Sequence, residues 1–182
     1  DPEIKTVLVL GGSLGARRIN QLMESQLEEF KTRNIQVIWQ TGRYYEAEMK
    51  QFLEHYPTKN IWQGAFIDRM DYAYAAADVV ISRSGACTVS ELCLAGKPTL
   101  FVPSPNVAED HQTQNAMALV KRNAAMMVAD AEAKALLFDM ALSLVKDESK
   151  LEGLSRNLLK LAQRGSARRI VDEIEKIMHY EL

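Results

Sequence analysis

Short apolar runs rich in β-branched residues recur along the chain, and the stretches between them carry helical periodicity. The runs fall at residues 6–10, 36–40, 60–63, 78–82, 99–102 and 125–128. Several are continuous rather than alternating, the pattern of strands buried on both faces of a parallel sheet. Helical patterns separate them at 16–31, 44–55, 71–77, 88–95 and 109–122. This alternation predicts an α/β domain with a doubly wound parallel sheet.

After residue 128 the strand pattern stops, and 131–145, 150–163 and 167–179 read as consecutive helices. Gly165 is placed to close the second of these and Ser166 to cap the third. Ile170, Ile174 and Ile177 form an apolar stripe on the last helix, expected to pack on this domain, with docking onto a further domain as the alternative. A chain of 182 residues is long enough to bury a sizeable core. The expectation is a single domain over 1–182, a sheet region about 4–128 and a helical segment about 131–180. The opening Asp1-Pro2-Glu3 leads straight into a strand, as a natural start or a cut at an interdomain linker would.

A net charge of −2 provides no basic field to gather nucleic acid. Cys87 and Cys93 lie six apart, a spacing that does not share a helix face, and the three histidines are scattered, so neither a disulfide nor a metal site is expected. Free thiols fit a reducing compartment. No apolar stretch approaches the ~20 residues needed to span a bilayer, and no signal peptide is evident.

Three loops at predicted strand ends carry the chemistry, because ligands of open α/β sheets bind beyond the carboxyl ends of the strands. The first, Gly11-Gly12-Ser13-Leu14-Gly15, lets backbone approach a ligand and opens a helix whose free N–H groups suit phosphate. It has neither the GxGxxG spacing nor a P-loop lysine, and strand two ends Trp39-Gln40-Thr41 without the acid a nicotinamide enzyme wants. A tight turn without ligand fits it equally. The second, Arg83-Ser84-Gly85-Ala86-Cys87-Thr88-Val89-Ser90-Glu91, puts small residues before a helix. Thr88-x-x-Glu91 matches a capping box, and the alternative has Glu91 accepting ribose hydroxyls. The third, Glu109-Asp110-His111-Gln112, reads as acids facing a helix dipole or as a carbohydrate contact through His111 and Gln112. A catalytic role for His111 needs a poised partner that the sequence does not supply.

These loops, with Phe66-Ile67-Asp68-Arg69-Met70 and Asp110-His111-Gln112-Thr113-Gln114-Asn115-Ala116, make the chain resemble the C-terminal domain of the bacterial peptidoglycan N-acetylglucosaminyltransferase (MurG) family. The likeness spans nearly the whole sequence, and 83–91 is its most specific part. It departs at Cys87, where leucine is familiar, and at His111, where some relatives have glutamine.

The resemblance implies half of a GT-B architecture, in which two Rossmann-like domains face across a cleft and the C-terminal one holds the donor. By position, Gly12, Ser13 and Gly15 would lie against the donor diphosphate. Ile67 would read uracil through its backbone, with Phe66 and Met70 beside it. The Arg83–Ser90 stretch would face phosphate chiefly through the amides of Ala86, Cys87 and Thr88. Glu91 would hold the ribose, and Gln112 with His111 the N-acetylglucosamine. The donor implied is UDP-N-acetylglucosamine and the product lipid II, with no cofactor or metal. The lipid-linked acceptor, the general base and peripheral contact with the cytoplasmic face of the inner membrane would belong to an absent N-terminal domain. This half would then be soluble, without catalytic residues, and inactive alone. A UDP-N-acetylglucosamine 2-epimerase half, or a non-catalytic α/β interaction module, are the alternatives.

Overall fold

The computed structural model describes residues 1–12, 14–56 and 59–180. Strands β1 (Thr6–Leu10), β2 (Gln36–Gln40), β3 (Ile61–Gly64), β4 (Val79–Ser82), β5 (Thr99–Phe101) and β6 (Met126–Met127) form one parallel sheet ordered β3-β2-β1-β4-β5-β6. Helices α1 (Arg17–Thr32), α2 (Glu46–His55), α3 (Met70–Ala76), α4 (Ala86–Ala95) and α5 (His111–Val120) alternate with the strands. Three more follow: α6 (Ala133–Lys146), α7 (Glu148–Leu161) and α8 (Ser166–Tyr180).

The uninterrupted apolar strands are explained by burial on both faces. Val7, Val9, Val37, Trp39, Val79 and Ile81 point into a core closed by α1, α6 and the first half of α7. Leu8, Leu10, Val80 and Phe101 point the other way, onto α3, α4 and α5. Successive strand residues alternate faces, so each face receives every second side chain. α7 wraps the sheet edge, contributing Leu151 and Leu154 to one core and Leu158 to the other. Covering both faces is what a parallel sheet requires.

Several boundaries move, each for a local reason. α4 begins at Ala86, two residues before the expected start, because Gly85 is already extended and its carbonyl accepts from Val89 N at 2.9 Å. α5 begins at His111, since Glu109 (φ 53°) and Asp110 (φ 49°) occupy the left-handed region and cannot continue a helix. α7 ends at Leu161 with an extended Ala162, so Gly165 does not close it. Instead the Gly165 carbonyl accepts from Arg169 N at 3.1 Å and starts α8, and Ser166 lies inside the helix rather than capping it.

The last helix overturns the expectation that its stripe packs on this domain. Ile170, Ile174 and Ile177 are 61%, 50% and 64% exposed, and every described side chain of α8 faces solvent. Among the described residues no helix is long and apolar enough to cross a membrane.

Candidate functional site

Strand order reverses direction at β1, which has β2 on one side and β4 on the other. The crevice above this switch point is where open α/β sheets take ligands. Register makes the strand ends level: Leu10 lies beside Gln40 and Ser82, and Ser82 beside Phe101. The loops after β1 and β4 therefore leave the sheet side by side, one on each flank of the crevice.

The β1–α1 loop is held from below and open above. A Cβ on Gly15 (φ 91°) would meet the Thr41 carbonyl and come within 2.6 Å of the Tyr45 ring, so this position is set by packing. Gly12 (φ 78°) also adopts a glycine conformation, but a Cβ there would meet nothing within 4 Å. Ser13, the expected diphosphate contact, lies outside the described residues. Ala16 precedes α1 without a side-chain cap, leaving the first-turn amides to other partners. Asn20, fully buried, accepts from Trp39 Nε1 at 3.1 Å and donates to the Thr41 carbonyl at 3.0 Å, pinning the first turn of α1 to the end of β2. It is a polar residue on an otherwise apolar helix face, and that mismatch is its mark in the sequence.

On the other flank, α4 starts with small residues and no side-chain cap. Gly85 has an ordinary φ of −63°, and a Cβ there would meet nothing within 4 Å. Its smallness therefore leaves room above the helix start rather than satisfying a backbone constraint. Ala86 and Cys87 are exposed, Val89 packs on the core, and Ser90 Oγ donates to the Ala86 carbonyl at 3.0 Å. The capping-box reading of Thr88-x-x-Glu91 fails, because Thr88 is the third helical residue and not the cap. Glu91 sits one turn further along, exposed, its Oε2 accepting from the Tyr74 hydroxyl of α3 at 3.2 Å.

The α5 start braces this loop. Ser84, fully buried, donates through Oγ to the Gln112 carbonyl at 2.8 Å, and its own carbonyl accepts from Asn115 Nδ2 at 3.1 Å. Gln112 Oε1 accepts from the amides of Ser84 (3.3 Å) and Ser104 (2.9 Å), which leaves the Gln112 amide nitrogen without a partner among the described residues. Neighbouring His111 places Nδ1 2.8 Å from the Ala108 carbonyl. A carbonyl only accepts, so in the neutral ring the proton sits on Nδ1 and Nε2 is an acceptor. Two consecutive non-glycine residues at positive φ precede it, a costly arrangement of the kind that clusters at binding sites. Thr113 Oγ1 donating to Asp110 Oδ1 at 2.7 Å and Gln114 Nε2 to the Glu109 carbonyl at 2.9 Å hold it in place.

Arg83 turns inward. Its Nη1 donates to the carbonyls of Val102 and Pro103 (2.9 and 3.0 Å) and to Asp130 Oδ1 (2.6 Å). Asp130 also faces Arg18 of α1, whose buried Nε lies 3.8 Å away, an ion pair without a hydrogen bond. The guanidinium of Arg83 thus ties the ends of β4 and β5 together, and Asp130 is a partner that sequence spacing does not announce. Phe66, Ile67 and Met70 stand at the end of β3 and the start of α3. Ile67 is buried in the second core, while Phe66 is 49% exposed. An anchored Ile67 side chain leaves its backbone as the part available to a ligand.

A cavity of about 750 Å³ lies elsewhere, at the amino ends of the strands, lined in part by Thr6, Gln36, Asp78 and Lys97. Those four are engaged: Asp78 accepts from Thr6 N at 2.8 Å, Gln36 Nε2 donates to Thr6 Oγ1 at 3.0 Å, and Lys97 Nζ donates to the Ala77 carbonyl at 2.9 Å. This cavity and the uncapped helix starts therefore sit at opposite edges of the sheet, and the chemistry makes the carboxyl edge the candidate site.

Comparison with known proteins agrees with the fold. The family model described as the glycosyltransferase family 28 C-terminal domain matches residues 6–173. A protein of Parabacteroides distasonis named UDP-N-acetylglucosamine–N-acetylmuramyl-(pentapeptide) pyrophosphoryl-undecaprenol N-acetylglucosamine transferase is 58% identical over 97% of this chain and 48% of its own length. A relative of the same name from Porphyromonas gingivalis is 51% identical over 98% of this chain and 47% of its own. The crystal structure of Acinetobacter baumannii MurG superposes with a TM-score of 0.82 at 28% identity, covering 95% of this chain and 52% of that one. This chain spans about half the length of the curated relatives it matches. With a six-stranded parallel sheet, a glycine-edged crevice at its switch point and a family match running from β1 into α8, the chain belongs to the glycosyltransferase family 28 C-terminal domain.

Proposed function

We propose that this chain is the donor-binding half of a transferase that moves N-acetylglucosamine from UDP-N-acetylglucosamine to lipid I, forming lipid II for peptidoglycan. The observation that carries the reading is the pairing across the crevice. Two helix starts without side-chain caps, α1 and α4, flank it with the open glycines Gly12 and Gly85, and Glu91 is free of any capping duty. The transferase names of the two curated relatives favour this reading over an epimerase half or an interaction module.

In the proposed reaction the acceptor hydroxyl attacks the anomeric carbon and UDP departs. Negative charge grows on the diphosphate, so amides aimed there stabilise the transition state more than the ground state. That role goes to Ala86, Cys87 and Thr88 with the 11–15 loop, including Ser13. Ile67 reads the base through its backbone beside Phe66 and Met70, Glu91 receives the ribose, and Gln112 with His111 faces the sugar. Arg83 shapes the loop through Asp130 rather than touching donor. The general base, the lipid-linked acceptor and peripheral contact with the cytoplasmic membrane face belong to the other half of the full-length protein. The bare stripe of α8 is assigned to contact with that half. Without it, lost proximity and orientation alone cost about 7–11 kcal/mol of barrier, so the chain binds donor without turnover.

The test is calorimetric titration of UDP into the wild-type chain and Glu91→Ala. Loss of hydrogen bonds to a charged group predicts affinity falling about tenfold to a hundredfold. An unchanged affinity would remove Glu91 from the ribose and with it this reading of the crevice.

A further inference from the structure

Glu91 stands on α4, and the group that touches it comes from α3, 17 residues earlier. Tyr74 is half-buried, its ring packed against the core under α3, α4 and α5. Its hydroxyl emerges from that apolar footing to meet Glu91 Oε2 at 3.2 Å. Burial first, then the charge of Glu91 and the hydrogen bond itself, push the phenol well above its ordinary range, so it remains a donor at any working pH. A carboxylate offers about four lone-pair sites. Tyr74 occupies one on Oε2, and Oε1 has no partner among the described residues.

We propose that Tyr74 is a positioning residue for the nucleotide: it holds the Glu91 carboxylate oriented so that the remaining lone pairs receive both hydroxyls of a ribose. The inference rests on the assignment of Glu91 to ribose made above. An exposed glutamate samples many rotamers, and fixing it before the ligand arrives lowers the entropy lost on binding. The same contact joins α3, which follows the loop carrying Ile67, to α4, which carries the phosphate-facing amides. It therefore ties together the two elements that carry the proposed base and diphosphate subsites. A purely structural tie between the two helices would affect stability but would be blind to the hydroxyls of the ligand.

That difference supplies the experiment. Dissociation constants for UDP and for its 2′,3′-dideoxy analogue are measured by calorimetry on wild type, Tyr74→Phe, Glu91→Ala and the double variant. Phenylalanine keeps the ring and its packing, and a ratio taken within each variant cancels any general loss of stability. Tyr74→Phe is expected to weaken UDP about threefold to tenfold and to leave the dideoxy analogue unchanged. In the Glu91→Ala background, which has no acceptor for the phenol, the same substitution is expected to add nothing. Equal weakening of both ligands, or a ratio kept at the wild-type value, overturns the positioning role while leaving Glu91 on the ribose. A Glu91→Ala protein that still distinguishes the two ligands as wild type does removes the ribose assignment, and the role of Tyr74 goes with it.

Discussion

The two edges of the sheet are built from the same strands and treat their polar groups in opposite ways. At the amino edge, side chains close the backbone off. Asp78 takes the Thr6 amide and Lys5, and Lys97 covers the carbonyls of Ala75 and Ala77 at the end of α3. At the carboxyl edge the side chains brace loops against one another: Gln112 and Asn115 on Ser84, Arg83 on the end of β5, Asn20 on the end of β2. The helix starts themselves are left without side-chain caps. α7, which begins away from that edge, is capped by Asp147 accepting from Lys150 N at 2.9 Å. An edge that satisfies its own backbone has nothing to offer an anion, whereas one that is rigid yet uncapped holds donors ready for one.

Three substitutions sharpen or break this contrast. The largest effect is expected at Gly15→Val, where a side chain at φ 91° must displace the Thr41 carbonyl and the Tyr45 ring. Strain and overpacking together predict a loss of about 2–5 kcal/mol in urea unfolding. A near-neutral result would mean that the 11–15 loop is not held from below. Next comes the amino edge. Asp78→Ala strips the partner from the part-buried Thr6 amide and should cost about 1–3 kcal/mol of stability while UDP affinity stays at the wild-type value. If binding fell as well, the edges would not be functionally separate. The smallest effect on the fold, but with a clear effect on binding, is expected at Gly85→Ala. Its φ of −63° suits alanine and nothing crowds the new Cβ, so stability should hold or rise by up to about 1 kcal/mol. The methyl group enters the space above the α4 start, and UDP affinity should drop about tenfold, or 1.4 kcal/mol. Retained affinity would show that phosphate does not approach there.

Much of the fold was legible because burial on both faces writes itself into sequence. Continuous runs such as Val7-Leu8-Val9-Leu10 and Val79-Val80-Ile81 can be solvated on neither side. All six strands appear where those runs lie. Boundaries were less legible where backbone conformation, not hydrophobicity, decides them. Nothing in Glu109-Asp110 forecasts two left-handed residues, and Thr88-x-x-Glu91 copies a capping box that the extended Gly85 pre-empts. The α8 stripe was legible as amphipathic, but periodicity says only that a face needs cover, not which surface provides it.

The sequence by itself determined the elements, the loops that carry chemistry and the family likeness, since these depend on local pattern and residue type. Only the tertiary structure decided that the β1 and β4 loops flank one crevice, that Tyr74 reaches Glu91, that Asp130 takes Arg83, and that α8 stands bare. The reason is physical: strand order and register bring together residues far apart in the chain, and no periodicity within a segment encodes which other segment it will lie beside.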